Sequence, residues 1–240
     1  MNEIENLPVQ QPLDIRISDK VDFSTFEEGS NKSVVELLKK AVDSCENEFF
    51  FIFGPQGSGK THLLKSLFQR KKAESPDCCY LDLSLLKTIG AFALDIQIPK
   101  VLILDNADVI AGNEELELAL FALFNRWYDK QEGTLIMSST KSFDQIEYLK
   151  KDLNTRLSSG ISLQLNYLTE SECVQALQKR IRARYVNLPD QTIKFLVRHC
   201  NHDMSSLLAI IDKLENAQLE HTHELTIPFV KIILGIDSKK

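Results

Sequence analysis

Residues 49–62 read FFFIFGPQGSGKTH. The five consecutive apolar residues from Phe49 to Phe53 are typical of a strand that is buried on both faces, as strands are in a parallel sheet. The next eight residues match the pattern G-x-x-x-x-G-K-[ST] at every specified position, and a helix is predicted to begin near Lys60. This order of strand, glycine-rich loop and helix predicts a loop that binds phosphate groups.

The residue types of this loop suit that chemistry. Glycines let the backbone approach phosphate oxygens closely, and the following helix presents its positive end to them. Lys60 is expected to reach the β- and γ-phosphates, and Thr61 to bind Mg²⁺ through its hydroxyl. We therefore expect ADP or ATP, with Mg²⁺, as cofactor. The residues predicted to bind the nucleotide here are Gly54, Pro55, Gln56, Gly57, Ser58, Gly59, Lys60, Thr61 and His62.

A second element of the expected site is the apolar run from Val101 to Leu104, which ends in Asp105. A buried strand that ends in a carboxylate is suited to hold the metal through its water shell, so Asp105 joins Thr61 as a predicted metal-side residue. The alternative role of Asp105 is that of a helix N-cap.

Asn106, which follows Asp105, is also predicted to contact the nucleotide. It occupies the position at which many such ATPases carry a general base. An amide cannot accept a proton, which predicts hydrolysis slower by about 10²- to 10⁴-fold.

Further apolar runs follow the same pattern along the chain. Two more strands are predicted, over Cys79 to Leu83 and over Thr134 to Met137. Apolar residues recur at helical spacing from Lys32 onward and again from Glu114 to Trp127, which predicts helices there. Strands that alternate with helices predict an α/β fold with a parallel sheet.

The pattern changes after Leu165. Thr169 and Glu172 form a capping-box sequence, Pro189 opens a second helix with Asp190, and residues 204–219 suit a third. We therefore predict three parts: a flexible tail over residues 1–20, an α/β nucleotide-binding domain over 21–166, and an all-helical domain over 167–240.

Composition excludes several classes of protein. With 34 acidic and 28 basic residues the net charge is −6, which argues against broad coating of nucleic acid. No apolar run approaches eighteen residues, and the N-terminus lacks an export signal, so we expect no membrane span and a cytoplasmic location.

The five cysteines are expected to be small buried hydrophobes. Arg180, Arg182 and Arg184 are expected to form a solvated face.

Five segments together resemble a known family. They are residues 23–31 (FSTFEEGSN), 59–64 (GKTHLL), 104–106 (LDN), 152–157 (DLNTRL) and 225–231 (LTIPFVK). With them the chain resembles the AAA+ ATPases of the DnaA replication-initiator group, and within that group the Hda-type regulatory inactivators. The resemblance implies an AAA+ core with a five-stranded parallel sheet, followed by a small helical lid.

The resemblance also assigns roles to single residues. It implies a phosphate-sensing role for Thr140, which is otherwise a simple strand-end hydroxyl. It places Arg156 at the arginine finger, a catalytic group that reaches into the ATP of a neighbouring molecule; the alternative is a surface arginine that pairs with Asp152. The family's sensor-two arginine falls at Ser205, whose hydroxyl cannot replace that charge, and Arg198 would compensate only if its helix points inward.

The N-terminal segment QQPLDI, residues 10–15, resembles the family's sliding-clamp-binding element. Gln10 is expected to hydrogen-bond at the rim of a groove, Pro12 to keep the backbone extended, and Leu13 and Ile15 to fill its apolar pocket. Gln11 departs from the leucine common there. The alternative is a disordered tail with chance Gln and Pro.

The implied function is negative control of replication initiation. Together with the DNA-loaded sliding clamp, the protein would stimulate ATP hydrolysis by DnaA and hydrolyse its own nucleotide weakly at most. The expected partners are DnaA, the clamp and further copies of this chain. No membrane is expected, because no apolar run is long enough to span one. No binding of sequence-specific DNA is expected, because the sequence stops near Lys240 without a helix-turn-helix domain. The alternatives are a helicase loader of the DnaC type, acting as an autonomous ATPase, and a module that only tethers partners.

Overall fold

The computed structural model describes residues 21–184, 187–199, 204–221 and 225–235. The strands are β1 (Phe49–Phe53), β2 (Cys78–Asp82), β3 (Val101–Asp105), β4 (Thr134–Ser139) and β5 (Ile161–Gln164). The helices are α1 (Lys32–Ser44), α2 (Lys60–Glu74), α3 (Leu86–Ile89), α4 (Glu114–Lys130), α5 (Lys151–Leu157), α6 (Glu170–Ala183), α7 (Asp190–His199), α8 (Met204–His221) and α9 (Ile227–Ile233).

The strands form one sheet in the order β2-β3-β4-β1-β5, with every neighbouring pair parallel. This confirms the predicted five-stranded parallel sheet. The strand predicted over Cys79–Leu83 lies one residue earlier, because Leu83 already belongs to a 3₁₀ turn capped by Asp82. The carboxyl ends of β1, β3 and β4 lie side by side, so the residues that follow them meet at one edge of the sheet.

Helices cover both faces of the sheet. Phe49 and Phe51 point into a core shared with α4 and α5, whereas Phe50 and Ile52 point into a core shared with α1 and α2. This alternation follows from the two-residue period of a strand. Because both faces are covered, the unbroken apolar run of β1 is buried, as its composition predicts.

Helices α6 to α9 pack around a third apolar core that includes Leu177, Leu196, Leu207 and Val230. The predicted capping box at the start of α6 is present: the Thr169 hydroxyl accepts from the N–H of Glu172, and the Glu172 carboxylate accepts from the N–H of Thr169. The predicted all-helical lid is therefore present.

The expectation of buried cysteines is correct for Cys173 and wrong for Cys45, Cys78 and Cys79, which are partly exposed. Cys78 and Cys79 lie in β2, an edge strand of the sheet that is only partly covered. Burial raises the pKa of both thiols, which favours their protonated form.

Three sequence predictions lie outside the described residues. They are the flexible tail over residues 1–20, the clamp-binding element at residues 10–15 within it, and the burial of the fifth cysteine, Cys200. Of the helices in the described ranges, none has both the length and the apolar character needed to cross a bilayer.

Candidate nucleotide site

The glycine-rich loop, Gly54 to Thr61, joins β1 to α2 at the carboxyl edge of the sheet. A Cβ on Gly54 would lie 2.3 Å from the carbonyl oxygen of Leu165, and Gly59 has a φ of +93°, so the turn requires glycine at both positions. The first turn of α2 has neither a side-chain cap nor an acidic residue. Its N–H groups are therefore open to an anion.

Lys60 lies on the floor of this loop with 6% of its surface exposed. Its ammonium donates to the carbonyls of Gly54 at 2.7 Å and Pro55 at 2.9 Å. Burial lowers the Lys60 pKa, while the charges of Asp105 and Asp108 act in the opposite direction. The ammonium is thus held by weak acceptors that phosphate oxygens can replace.

Asp105 is fully buried at the end of β3. Its carboxylate accepts from the hydroxyl of Tyr80 at 2.8 Å and from the hydroxyl of Ser138. Burial, followed by the charge of Asp105, raises the Tyr80 pKa, so the phenol stays protonated and remains a donor. Neither Tyr80 nor Ser138 was predicted; both come from neighbouring strands and fix the orientation of the carboxylate.

Asn106, directly after Asp105, has a φ of +61°. Its side-chain amide donates to Asp82 at 2.9 Å, and its backbone N–H lies 3.1 Å from the Ser138 hydroxyl. Burial alone would raise the Asp82 pKa, but hydrogen bonds from Asn106 and Ser84 outweigh it, and the pKa is lowered. The amide of Asn106 is therefore specifically paired with a charged carboxylate.

Thr140 follows β4, where its hydroxyl donates to a carboxylate oxygen of Asp108. The other Asp108 oxygen is buried and has no hydrogen-bond partner among the described residues. No local sequence pattern marks Asp108, which lies in a 3₁₀ turn three residues beyond Asp105. This brings a second carboxylate into electrostatic reach of Lys60.

These residues surround a cavity of about 380 Å³. The volume falls within the usual range for small-molecule sites. Of the predicted site residues, Gln56, Gly57, Gly59, Lys60, Thr61, His62, Asn106 and Thr140 line it. Ser58 lines a smaller adjoining cavity of about 30 Å³, and Asp105 lies buried behind the lining.

The donor set at the cavity suits Mg²⁺ that is shared with a nucleotide. Within the described residues the Thr61 hydroxyl lines the cavity and makes no hydrogen bond, and Asp105 supplies a nearby carboxylate. No group of three His, Cys, Asp or Glu side chains in the described part of the chain is placed to hold a metal. Phosphate oxygens would therefore have to complete the coordination.

The lid contributes Arg180, Met204, Ser205 and Leu208 to the larger cavity. Ser205, where the resemblance places the sensor-two position, thus lies at the site. Arg198 is not among the lining residues; it pairs with Glu170 at 2.7 Å on the surface.

The expectation of a solvated basic face on α6 is wrong for two of its three arginines. Arg180 donates to Nδ1 of His62, and Arg184 pairs with Asp212 at 2.5 Å. Only Arg182 is exposed. The two-residue spacing directs these side chains to different sides of the helix, and α2 and α8 cover two of those sides.

Arg156 lies away from both cavities, near the end of α5. Its guanidinium lies 5.3 Å from the centre of the Tyr128 ring, and that tyrosine is 44% exposed. Among the described residues Arg156 makes no ion pair, so the alternative pairing with Asp152 is absent.

Glu117 in α4 fixes the segment that leads into α5. Its buried carboxylate accepts from the N–H groups of Gly112 at 2.8 Å, Leu149 at 3.1 Å and Lys150 at 2.9 Å. A charged acceptor with several donors is a strong anchor. Arg156 therefore extends from a helix whose start is fixed to the core.

Comparison with known proteins gives matches along most of the chain. The family model for the bacterial DnaA ATPase domain matches residues 17–164, and the model for the Hda lid domain matches residues 170–234. An uncharacterized protein of Haemophilus influenzae is 34% identical over 228 residues, which cover 95% of this chain and 99% of that protein.

Two solved structures show the same fold. Domain III of the Thermotoga maritima replication initiation protein DnaA is 18% identical with a TM-score of 0.78, covering 92% of this chain and 98% of that one. The AMPPCP-bound DnaA of Aquifex aeolicus is 19% identical with a TM-score of 0.66, covering 83% and 66% respectively.

Proposed function

Because this chain belongs to the bacterial DnaA ATPase-domain family and carries an Hda-type lid, we propose that it is a nucleotide-binding regulator that restrains the initiation of DNA replication. In the cytoplasm, together with the DNA-loaded sliding clamp, it stimulates ATP hydrolysis by the DnaA initiator. The observation that carries this proposal is the position of Arg156.

Arg156 is partly exposed, makes no ion pair among the described residues and lines neither cavity. Its guanidinium is accessible at the surface to a phosphate bound by a second molecule. A cation supplied to a transferring phosphoryl group accelerates hydrolysis by about 10³- to 10⁵-fold. A second copy of this chain would occupy the same position as DnaA in the homo-oligomer that we expect.

Arg156 is also held in place. Stacking on Tyr128 limits the conformations of the long side chain, and Glu117 fixes the start of α5. A catalytic group that is ordered before its target arrives loses less entropy on binding. The anchored helix thus supports a role in the hydrolysis of another molecule's ATP.

The chain's own site is suited to hold ADP or ATP. The open N–H groups of α2, the ammonium of Lys60 and the hydroxyl of Thr61 would bind the phosphates and the metal. Mg²⁺, when bound, supplies neutralisation of phosphate charge. The Asn106 amide donates one hydrogen bond to Asp82 and cannot take a proton from water, so weak hydrolysis is expected.

Clamp binding is proposed from the sequence of residues 10–15 alone. Gln10, Pro12, Leu13 and Ile15 would occupy a groove on the clamp as an extended peptide. This would bring Arg156 close to DnaA on the same DNA.

The deciding experiment measures phosphate release from DnaA–ATP in the presence of DNA-loaded clamp. Wild-type protein should accelerate release, and Arg156→Ala should lose about 10³-fold of that stimulation while it binds ADP normally. Lys151→Ala, an exposed change on the same helix, is the matched control and should behave as wild type. Full stimulation by Arg156→Ala would exclude the arginine-finger role. If deletion of residues 1–16 still abolished stimulation, the tethering module would be the correct reading.

An autonomous ATPase is the second candidate, and Asp108 favours it. This carboxylate lies within electrostatic reach of Lys60 and is hydrogen-bonded to Thr140 at the cavity. If it acts as the base that Asn106 cannot be, the isolated protein will turn over ATP, and Asp108→Asn will lower the rate by about 10²-fold or more. Turnover that is absent in the isolated wild type would exclude this candidate.

A further inference from the structure

The larger cavity is built to receive an anion. Its lining includes the side chains of Lys60, Lys65 and Arg180, and no Asp or Glu is among the lining residues that the structure describes. Asp105 is buried, and neither Asp105 nor Asp108 is among the described lining residues, although the charges of both act on Lys60. A nucleotide with two or three phosphates has the complementary charge.

Arg180 is a cation that the lid contributes to this cavity. The other lining residues in the described part of the lid are Met204, Ser205 and Leu208, which carry no charge. Arg180 also lines the smaller cavity, whose walls include Thr25, Phe26 and Ala176. Its guanidinium therefore lies where the two cavities meet.

One partner of Arg180 in this structure belongs to α2, the helix that follows the glycine-rich loop. The guanidinium donates to Nδ1 of His62, two residues beyond Lys60. On the other side of the ring, Nε2 lies 3.2 Å from the carbonyl oxygen of Asp22 and 3.3 Å from the Thr25 hydroxyl. A ring nitrogen that accepts from a guanidinium is a neutral acceptor, and a phosphate oxygen would be a stronger one.

We propose that Arg180 binds the phosphate chain of the bound nucleotide and is thereby the lid's charged contact with that ligand. It exchanges its hydrogen bond to His62 for one to a phosphate oxygen and so connects α6 to the nucleotide. In this way Arg180 supplies the positive charge that is missing at Ser205. The inference rests on the proposed nucleotide site.

The test compares binding of ADP and of adenosine, each with a fluorescent N-methylanthraniloyl group on the ribose, to full-length protein. Arg180→Gln should weaken ADP binding by about 10- to 100-fold, which is the range for the loss of a charge-assisted hydrogen bond. Adenosine has no phosphate, so its affinity should change less than twofold. Arg182→Gln removes the same charge from an exposed position of α6 and should bind both ligands as wild type does.

The outcomes separate this inference from the function on which it rests. If wild type binds ADP and Arg180→Gln binds it equally well, the inference is wrong and the nucleotide site stands. If Arg180→Gln loses adenosine and ADP to the same extent, Arg180 shapes the lid and does not contact phosphate. If wild type binds neither ADP nor ATP, the proposed function itself fails. Should Arg180→Gln lack a cooperative unfolding transition, Arg180→Met, which keeps the aliphatic stem, takes its place in the same comparison.

Discussion

Replacing Asn106 by Asp tests whether the amide at this position stabilises the fold through its hydrogen bond to Asp82. The Asn106 amide donates to a carboxylate oxygen of Asp82 at 2.9 Å. Asn106→Asp removes that donor and brings a second carboxylate to about the same distance. We expect the variant to be destabilised, and the destabilisation to depend on pH.

The size of the effect follows from two contributions. A hydrogen bond to a charged group is worth about 1.5 to 3 kcal/mol. Two like charges about 3 Å apart repel by roughly 5 to 6 kcal/mol at an effective dielectric constant of 20, and solvent around the partly exposed Asp82 reduces this further. We expect the free energy of unfolding at about pH 8 to fall by about 3 kcal/mol.

The free energy of unfolding depends on pH through the carboxyl groups at positions 82 and 106. In the wild type the Asp82 pKa is lowered, so its contribution to stability is present above the unfolded pKa of about 4 and is lost as the pH falls through the folded value. In Asn106→Asp one carboxyl of the pair has a raised folded pKa. The penalty therefore grows as the pH rises from about 4 through that raised pKa, and it is small at about pH 5, where one carboxyl is protonated.

Urea unfolding at about pH 5 and pH 8 measures this difference, and the double variant Asp82→Asn with Asn106→Asp is the control. The double variant restores an amide–carboxylate pair with the roles exchanged, so it should regain most of the stability at pH 8. Like the single variant it places a base at position 106, so its ATP hydrolysis should exceed that of the wild type. Equal destabilisation of Asn106→Asp at both pH values, or no recovery in the double variant, would refute the reasoning.

Three further predictions follow from other contacts. Tyr128→Ala removes the stacking partner of Arg156 and should lower the stimulation of DnaA hydrolysis by about two- to fivefold, as expected for a cation–π contact, with ADP affinity unchanged; equal stimulation would show that the stacking does not order Arg156. Glu117→Gln keeps the shape but loses the charge that accepts three backbone N–H groups, so urea unfolding should show a loss of about 2 kcal/mol, and an unchanged midpoint would contradict the anchoring role. Thr169→Ala removes a capping hydrogen bond and should cost about 1 kcal/mol in thermal unfolding, whereas Thr226→Ala, at an N-cap without one, should cost little; equal losses would refute the assignment.

The features that were predictable from the sequence are local in the chain. The apolar run of β1, the glycine-rich loop and the capping box at Thr169 each occupy a few consecutive residues, and each forms where it was predicted. Strand β5 gave no comparable signal. Its four residues, ISLQ, do alternate between apolar and polar, but the segment is too short for that alternation to distinguish a strand, and Ile161 on the sheet edge is 46% exposed.

The missed residues depend on contacts between distant parts of the chain. Tyr80 and Ser138 reach Asp105 only because β2, β3 and β4 are neighbours in register, which no local pattern reveals. Helical spacing gives the directions of side chains relative to one another, but it does not show which of them faces α2. The sequence therefore predicts Arg180 on a solvated face. Its contact with His62 requires the lid to be docked on the core.

The order of the strands has a consequence for protein synthesis. β1 hydrogen-bonds on one side to β4 and on the other to β5, and Gly54 packs against the backbone of Leu165. A nascent chain that has left the ribosome only as far as β3 therefore contains the whole glycine-rich loop but neither of the strands that hold it in place. Translation must continue past residue 165 before the loop can be secured, so a messenger cut short ahead of that codon yields a polypeptide that carries the motif but has no framework around it.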